Sequence, residues 1–175
     1  MNMLPAGDGT AQVEHWGGQY LIIQLQTESF GVDITAVREI IAYVVPTQIP
    51  MMPTFVVGVI NLRGQVVPII DIARRFGRPA TAIHKRSCIT IVDLQEGESR
   101  QRLGVIVDAV NEVLEFSGEQ IEPAPQFGAG LRTEFIRGMA KVANQFITLL
   151  EMERVLSLDE MAQLAAIAAG AAAGA

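Results

Sequence analysis

The sequence predicts a mostly β protein built from two small, similar units side by side. Three observations carry that reading. Runs of strand length, rich in β-branched and aliphatic residues, recur along the chain. Long helical patterns between the runs, which a doubly wound sheet would need, are missing, and the runs themselves exclude a helical bundle. The chain also contains itself twice. Gly31-Val32-Asp33-Ile34-Thr35-Ala36-Val37-Arg38-Glu39-Ile40-Ile41 recurs as Gly104-Val105-Ile106-Val107-Asp108-Ala109-Val110-Asn111-Glu112-Val113-Leu114, a shift of 73 positions. Gly58 to Asp71 recurs as Gly138 to Glu151, a shift of 80, so seven extra residues separate the two blocks of the second copy.

Taken in order, residues 1–17 read as a flexible polar arm, without the basic start and apolar block of a signal peptide. The first unit spans 18–80 and the second 81–156. Strands are expected at Tyr20 to Gln26, Ser87 to Leu94 and Leu103 to Val107. Val57 to Leu62 and Gln65 to Ile70 form a hairpin across Arg63-Gly64, and Met139 to Val142 and Gln145 to Leu150 form its counterpart across Ala143-Asn144. Gly64 and Asn144 are the residue types that best tolerate a left-handed backbone at such turns. After each hairpin a carboxylate, Asp71 or Glu151, opens a short helix, where it suits the helix dipole. Ser157 and Glu160 have capping-box spacing, so a C-terminal helix begins there. Its Leu158, Met161, Leu164 and Ala165 share a docking face, and an alanine-rich tail frays within 157–175. About five short strands per unit suffice for two Src-homology-3-like five-stranded β-barrels.

Composition narrows the function. Half of the 175 residues are hydrophobic, which excludes disorder, and the net charge of −6, from 19 acidic and 13 basic residues, argues against nucleic-acid binding. The basic cluster of Arg74, Arg75, Arg78, Lys85 and Arg86 reads as a solvated connector. Cys88, the only cysteine, excludes an internal disulfide and reads as a small core residue. Nothing resembles a membrane-spanning segment, so a soluble cytoplasmic protein without membrane insertion is expected.

Little in the chain points to catalytic chemistry. His15 and His84 have no neighbouring cysteine or carboxylate at ligand spacing, so no metal site and no catalytic residue is assigned. Gly128-Ala129-Gly130 does not open a helix after a strand, as a phosphate loop would. The acids Glu39 with Asp71, and Glu112 with Glu151, recur in both copies and read as structural. No cofactor is expected. What remains is a set of apolar residues and matched charges. Val37, Ile40 and Ile41, with their counterparts Val110, Val113 and Leu114, are core residues or, where exposed, the lining of a groove for a partner helix. Arg63, at a turn tip, pairs with Glu39 in the sharper reading and is merely solvated in the blander one.

These residues resemble a known family. Gly58-Val59-Ile60-Asn61-Leu62-Arg63-Gly64-Gln65-Val66-Val67-Pro68-Ile69-Ile70-Asp71 strongly resembles the signature hairpin of the CheW chemotaxis coupling proteins. Phe30 to Ile34 with Val37 to Ile40, Gly104 to Asp108, Ile121 to Pro125 and the final hairpin extend the resemblance over roughly Gln19 to Leu164. It implies a non-enzymatic adaptor of two barrels that joins methyl-accepting chemoreceptors to the histidine kinase CheA. By position, Val37, Glu39, Arg63, Val66 and Val113 become candidates for binding the receptor's cytoplasmic hairpin tip in the groove between barrels. Pro46, Thr47 and Gly58 become candidates for docking the CheA regulatory domain. The free chain is expected to be a monomer that joins receptor–kinase arrays at the membrane. Two alternatives remain open: a regulatory or scaffold module for another kinase system, controlling pili or development, and a small-molecule-binding or enzymatic barrel.

Overall fold

A computed structural model of the chain describes residues 16–124 and 133–156. The expected arm up to residue 15, residues 125–132 and the expected C-terminal helix with its tail lie outside the described residues. The elements in chain order are β1 Gly18–Leu25, β2 Glu28–Asp33, β3 Val37–Ala42, β4 Val56–Leu62, β5 Gln65–Asp71, α1 Ile72–Arg75, β6 Cys88–Glu96, β7 Ser99–Val107, β8 Ala109–Phe116, β9 Ile121–Glu122, β10 Ile136–Val142, β11 Gln145–Leu150 and α2 Met152–Val155. The mostly β fold of two barrel-like subdomains is the one expected. Trp16 is not part of a loose arm: it packs against buried Tyr20 and Ile22 and accepts a hydrogen bond from the Tyr20 hydroxyl at 2.5 Å.

The two sheets do not follow the expected division at residue 80. One has the order β8-β1-β2-β11-β10-β9 and the other β3-β6-β7-β5-β4. The β1–β2 hairpin of the first copy therefore sits among strands of the second, and the β6–β7 hairpin of the second copy sits among strands of the first. The contiguous barrels 18–80 and 81–156 are thus corrected to a reciprocal exchange. The reason is that β2 runs parallel to β11, and β7 parallel to β5, and parallel neighbours require a long crossover. The other copy supplies it. A repeat in sequence gives the order of strands but not which copy each one pairs with.

Gly31 and Gly104 occupy equivalent places at these parallel seams. A Cβ on Gly31 would lie 2.6 Å from Leu149 Cδ2, and one on Gly104 would lie 2.7 Å from Ile69 Cδ1. Leu149 and Ile69 are themselves repeat mates, so the duplicated glycine marks a duplicated close approach.

Alternation along the strands sorts the apolar residues into three cores. Tyr20 and Ile22 join Phe116, Ile121, Ala140, Ile147 and Leu149 inside one barrel. Ile60, Val67, Ile69, Ile89, Ile91 and Ile106 fill the other. The intervening positions, among them Leu21, Ile23, Leu25, Val92, Leu94, Leu103 and Val105, meet in a larger core between the sheets. The six repeated apolar residues divide by the same rule. Val37 and Val110 flank the inter-sheet core, Ile41 and Leu114 flank the barrel interiors, and Ile40 and Val113 are exposed.

Part of the basic cluster has structural partners, although Arg74 stays exposed. Arg75 Nε donates to the Val155 carbonyl at 2.5 Å, and its guanidinium lies 5.0 Å from the Phe55 ring centre and 5.1 Å from that of Phe135. Arg74 Nη1 donates to the Thr54 carbonyl at 3.0 Å, and Arg78 pairs with Glu28 at 2.6 Å. Both short helices open where expected, but the two carboxylates do different work. Asp71 accepts from the Ala73 amide, the Thr81 amide and the Thr81 hydroxyl. Glu151, one methylene longer, receives Arg137 through two bonds of 2.9 and 3.0 Å. Arg137 also donates to Asp33 at 2.9 Å and to the Tyr20 hydroxyl at 3.1 Å. At the turns, Arg63 and Gly64 both take positive φ, 51° and 87°. In the second hairpin the left-handed residue is Ala143, at 55°, and not Asn144 as the residue types suggested.

Burial works to raise both Asp33 and Glu151, but the hydrogen bonds and charge of Arg137 outweigh it and hold both carboxyls below their ordinary range. Glu153 moves oppositely, raised by burial and by the neighbouring Glu151 charge, so its contribution favours low pH. The stability supplied by Asp33 and Glu151 is therefore present above their unfolded pKa values, about 4, and lost as pH falls through the depressed folded values. Arg137→Met is expected to cost about 3 kcal/mol near pH 7, because two partly buried carboxylates lose their partner. Its stability should fall less than wild type between about pH 5 and 2, and parallel urea titrations across that range would reveal equal slopes if the network were inert. The strand exchange predicts that fragments 16–80 and 81–156 show no cooperative thermal transition alone and regain one when mixed. A cooperative melt of isolated 16–80 by circular dichroism would contradict it.

Candidate partner-binding surface

Strand β3 carries two of the candidates on opposite faces. Val37 is paired with Val92, whose side chain belongs to the inter-sheet core, whereas Glu39 is paired with Ile91, which fills a barrel. A register shift between Val37 and Glu39 leaves Arg38 as the extra residue of a bulge and turns Glu39 toward the barrel mouth. There it meets the β4–β5 turn. Arg63 Nη2 donates to Glu39 Oε2, while the turn is braced by Asn61 Oδ1, which accepts from the Gly64 amide at 2.9 Å. The Arg63 side chain is 66% exposed and that of Glu39 26%.

Arg63 holds a left-handed conformation that glycine or asparagine would hold at lower cost, by about 1–2 kcal/mol for an ordinary residue. Local folding does not call for arginine there. Its repeat mate is Ala143, and the mate of Glu39 is Glu112, so the ion pair exists in only one copy. Val66, two residues past the turn, is 49% exposed, and its mate Phe146 is 50% exposed. Val113, 44% exposed, is paired across the sheet with Leu21 of the inter-sheet core. It thus lies on the seam face with Val37. Among the described contacts, Glu39 and Arg63 touch and Val66 shares the hairpin of Arg63, while nothing joins Val113 to that group directly.

The other three candidates form one local device. Thr47 exchanges two backbone hydrogen bonds with Val59, donating at 2.8 Å and accepting at 2.9 Å. This pins the loop after β3 onto β4. A Cβ on Gly58 would lie 2.2 Å from the Thr47 carbonyl oxygen and 3.1 Å from Pro46 Cβ. Gly58 is buried, so it has no surface to offer a partner and acts by seating the loop. The loop's exposed apolar tips are Val45 and Met51.

The sequence reading missed a polar cluster beside Arg63. Arg102 donates from Nε to Asp93 Oδ1 at 2.9 Å and from Nη1 to Gln65 Oε1 at 2.7 Å, and Arg38 approaches Asp93 at 3.5 Å. The Asp93 hydrogen bond raises the pKa of Arg102 further above its ordinary value. Strands β3, β5, β6 and β7 bring these residues together, Arg102 and Gln65 lying 37 positions apart, which no local motif signals. Phe146, by contrast, was legible as the repeat mate of Val66. His84, on the other flank, has Asp108 3.8 Å from Nε2, a neighbour that only tertiary structure supplies. Among the described residues no group of three metal-ligating side chains gathers, and no described helix is long and apolar enough to cross a membrane.

Comparison with known proteins identifies the family. The family model described as "CheW-like domain" matches residues 19–160. The chain is 36% identical over 146 residues to the chemotaxis protein CheW of Klebsiella aerogenes, covering 83% of this chain and 86% of that protein. It is 34% identical over 142 residues to a probable chemotaxis protein CheW of Rhizobium etli, covering 81% and 89%. The crystal structure of the scaffolding protein TtCheW from Thermoanaerobacter tengcongensis superposes with a TM-score of 0.73 at 34% identity, over 82% of this chain and 95% of that one. The chain belongs to the CheW-like family of non-catalytic chemotaxis scaffold proteins.

Proposed function

We propose that the chain couples chemoreceptors to the histidine kinase CheA, receiving the receptor's cytoplasmic hairpin tip on the surface formed by Val37, Glu39, Arg63, Val66 and Val113. The observation that carries this reading is the exposed Arg63–Glu39 pair, built in one copy of the repeat and absent from the other. It joins a turn to a sheet edge next to the exposed Val66 and Ile40. Apolar side chains beside an orienting ion pair suit an amphipathic helix, whose apolar stripe fills the groove while its polar groups meet the charges. The CheA regulatory domain docks at the loop seated on Gly58, through Pro46, Thr47 and the exposed apolar residues near them. The free chain is a cytoplasmic monomer recruited to receptor arrays, where several moderate contacts act together. Coupling requires the groove to bind one signalling state of the receptor better than another, since a ligand shifts an equilibrium only by its differential affinity.

Calorimetric titration against a chemoreceptor cytoplasmic fragment and, separately, the CheA regulatory domain tests this. Arg63→Glu is expected to weaken receptor binding by about tenfold or more, with kinase binding retained. Its stability should stay within about 0.5 kcal/mol of wild type, since the side chain is at the surface. Equal receptor affinity in wild type and variant, or a folded wild-type chain that binds neither partner, would refute the assignment.

A further inference from the structure

Beside Val66 a cleft of roughly 420 Å³ is lined by Gln65, Val66, Asp93, Arg100, Gln101 and Arg102. Its charge is lopsided, with two guanidiniums to one carboxylate, in a chain whose net charge is −6. Asp93 is already shared between Arg102 and Arg38, and Arg102 is further fixed by Gln65. Arg100 differs. It is exposed, and among the described residues its guanidinium meets only Gln95 Oε1, at 3.5 Å. The β6–β7 hairpin carries it, pairing continuously out to Glu96 and Ser99. Because Gln65 directly follows the Arg63-Gly64 turn, the Arg102–Gln65 bond ties this hairpin to the turn that bears the Glu39–Arg63 pair.

We propose that this cleft is a carboxylate-binding subsite, continuous with the Arg63 and Val66 surface, and that its occupant is an acidic stretch of the same partner helix. The inference rests on the receptor-binding reading above and adds the chemistry of the contact. A weakly hydrated guanidinium without its own carboxylate forms charge-assisted bonds with an incoming Asp or Glu at little cost. Arg102, held rigid by Asp93 and Gln65, shapes the wall, and Arg100 is the free donor. The overall negative charge of the chain repels acidic partners at long range, so a local cationic cleft selects where and in which register such a helix lands.

The test is calorimetric titration of a chemoreceptor cytoplasmic fragment into the full chain at about 50 and 500 mM salt, which spans weak to strong screening. Arg100→Glu should bind about tenfold more weakly at low salt and close to wild type at high salt, with an unchanged melting curve. Arg100→Gln should fall between the two, and Arg100→Lys should stay within about twofold of wild type because the charge is kept. Wild-type affinity and salt dependence in Arg100→Glu, alongside loss of binding in Arg63→Glu, would eliminate the subsite while leaving the receptor reading intact. A wild-type chain that does not bind the fragment at either salt concentration would remove both.

Discussion

The guanidinium of Arg75 is caught between two versions of the same position. Phe55 and Phe135 are repeat mates, both rings lie about 5 Å from its centre, and the carbonyl it donates to belongs to Val155, its own mate. Around it Phe76 packs on Phe30 and Phe135 at centroid distances of 5.7 and 6.1 Å. This apolar seam, contributed by both copies, is the constraint on which the rest depends. Neither sheet can bury its outward-facing Leu, Val and Ile residues without the other, and the exchanged hairpins make the dependence covalent as well as hydrophobic.

Reciprocal exchange gives a frame whose two halves resist sliding against each other, since moving one barrel would pull the hairpin it has lent to the other. On that frame the copies have diverged at equivalent positions. Arg63 faces Ala143 across the repeat, Val57 faces Arg137, and Asp71 faces Glu151. One copy thereby gains an exposed ion pair at a barrel mouth, and the other a half-buried arginine joining Asp33, Tyr20 and Glu151. The first lies where a partner can reach it, and the second stabilises a barrel end. Duplication thus supplied the fold twice, and local substitution made its two faces unlike.

The candidate surface was partly legible before any coordinates. The pairing of Arg63 with Glu39 could be inferred from an arginine at a turn tip, and exposure of Val113 was one of two outcomes open for the repeated apolar residues, whereas Val66 entered only through the family resemblance. Other features were misread for physical reasons. Arg75 looked solvated because its neighbours in sequence are basic, yet its partners are a carbonyl 80 positions away and two rings brought in by packing. Gly58 looked like a contact, yet its missing side chain makes room for the Thr47 carbonyl. The Arg38, Asp93, Arg102 and Gln65 cluster could not be seen at all, because four strands supply it and no spacing links them.

By itself the sequence determined what depends on neighbouring residues and periodicity. That includes strands β1, β4 to β7, β10 and β11, the two hairpins, the carboxylates that open the short helices, and the duplication. Tertiary structure alone decided the pairing between copies, because parallel neighbours need a crossover that either copy could supply in principle and hydrogen-bond geometry has to select. It decided, for the same reason, which repeated apolar residues face a barrel, the seam or solvent. Register assigns a residue to a face, and register exists only once the partner strand is in place.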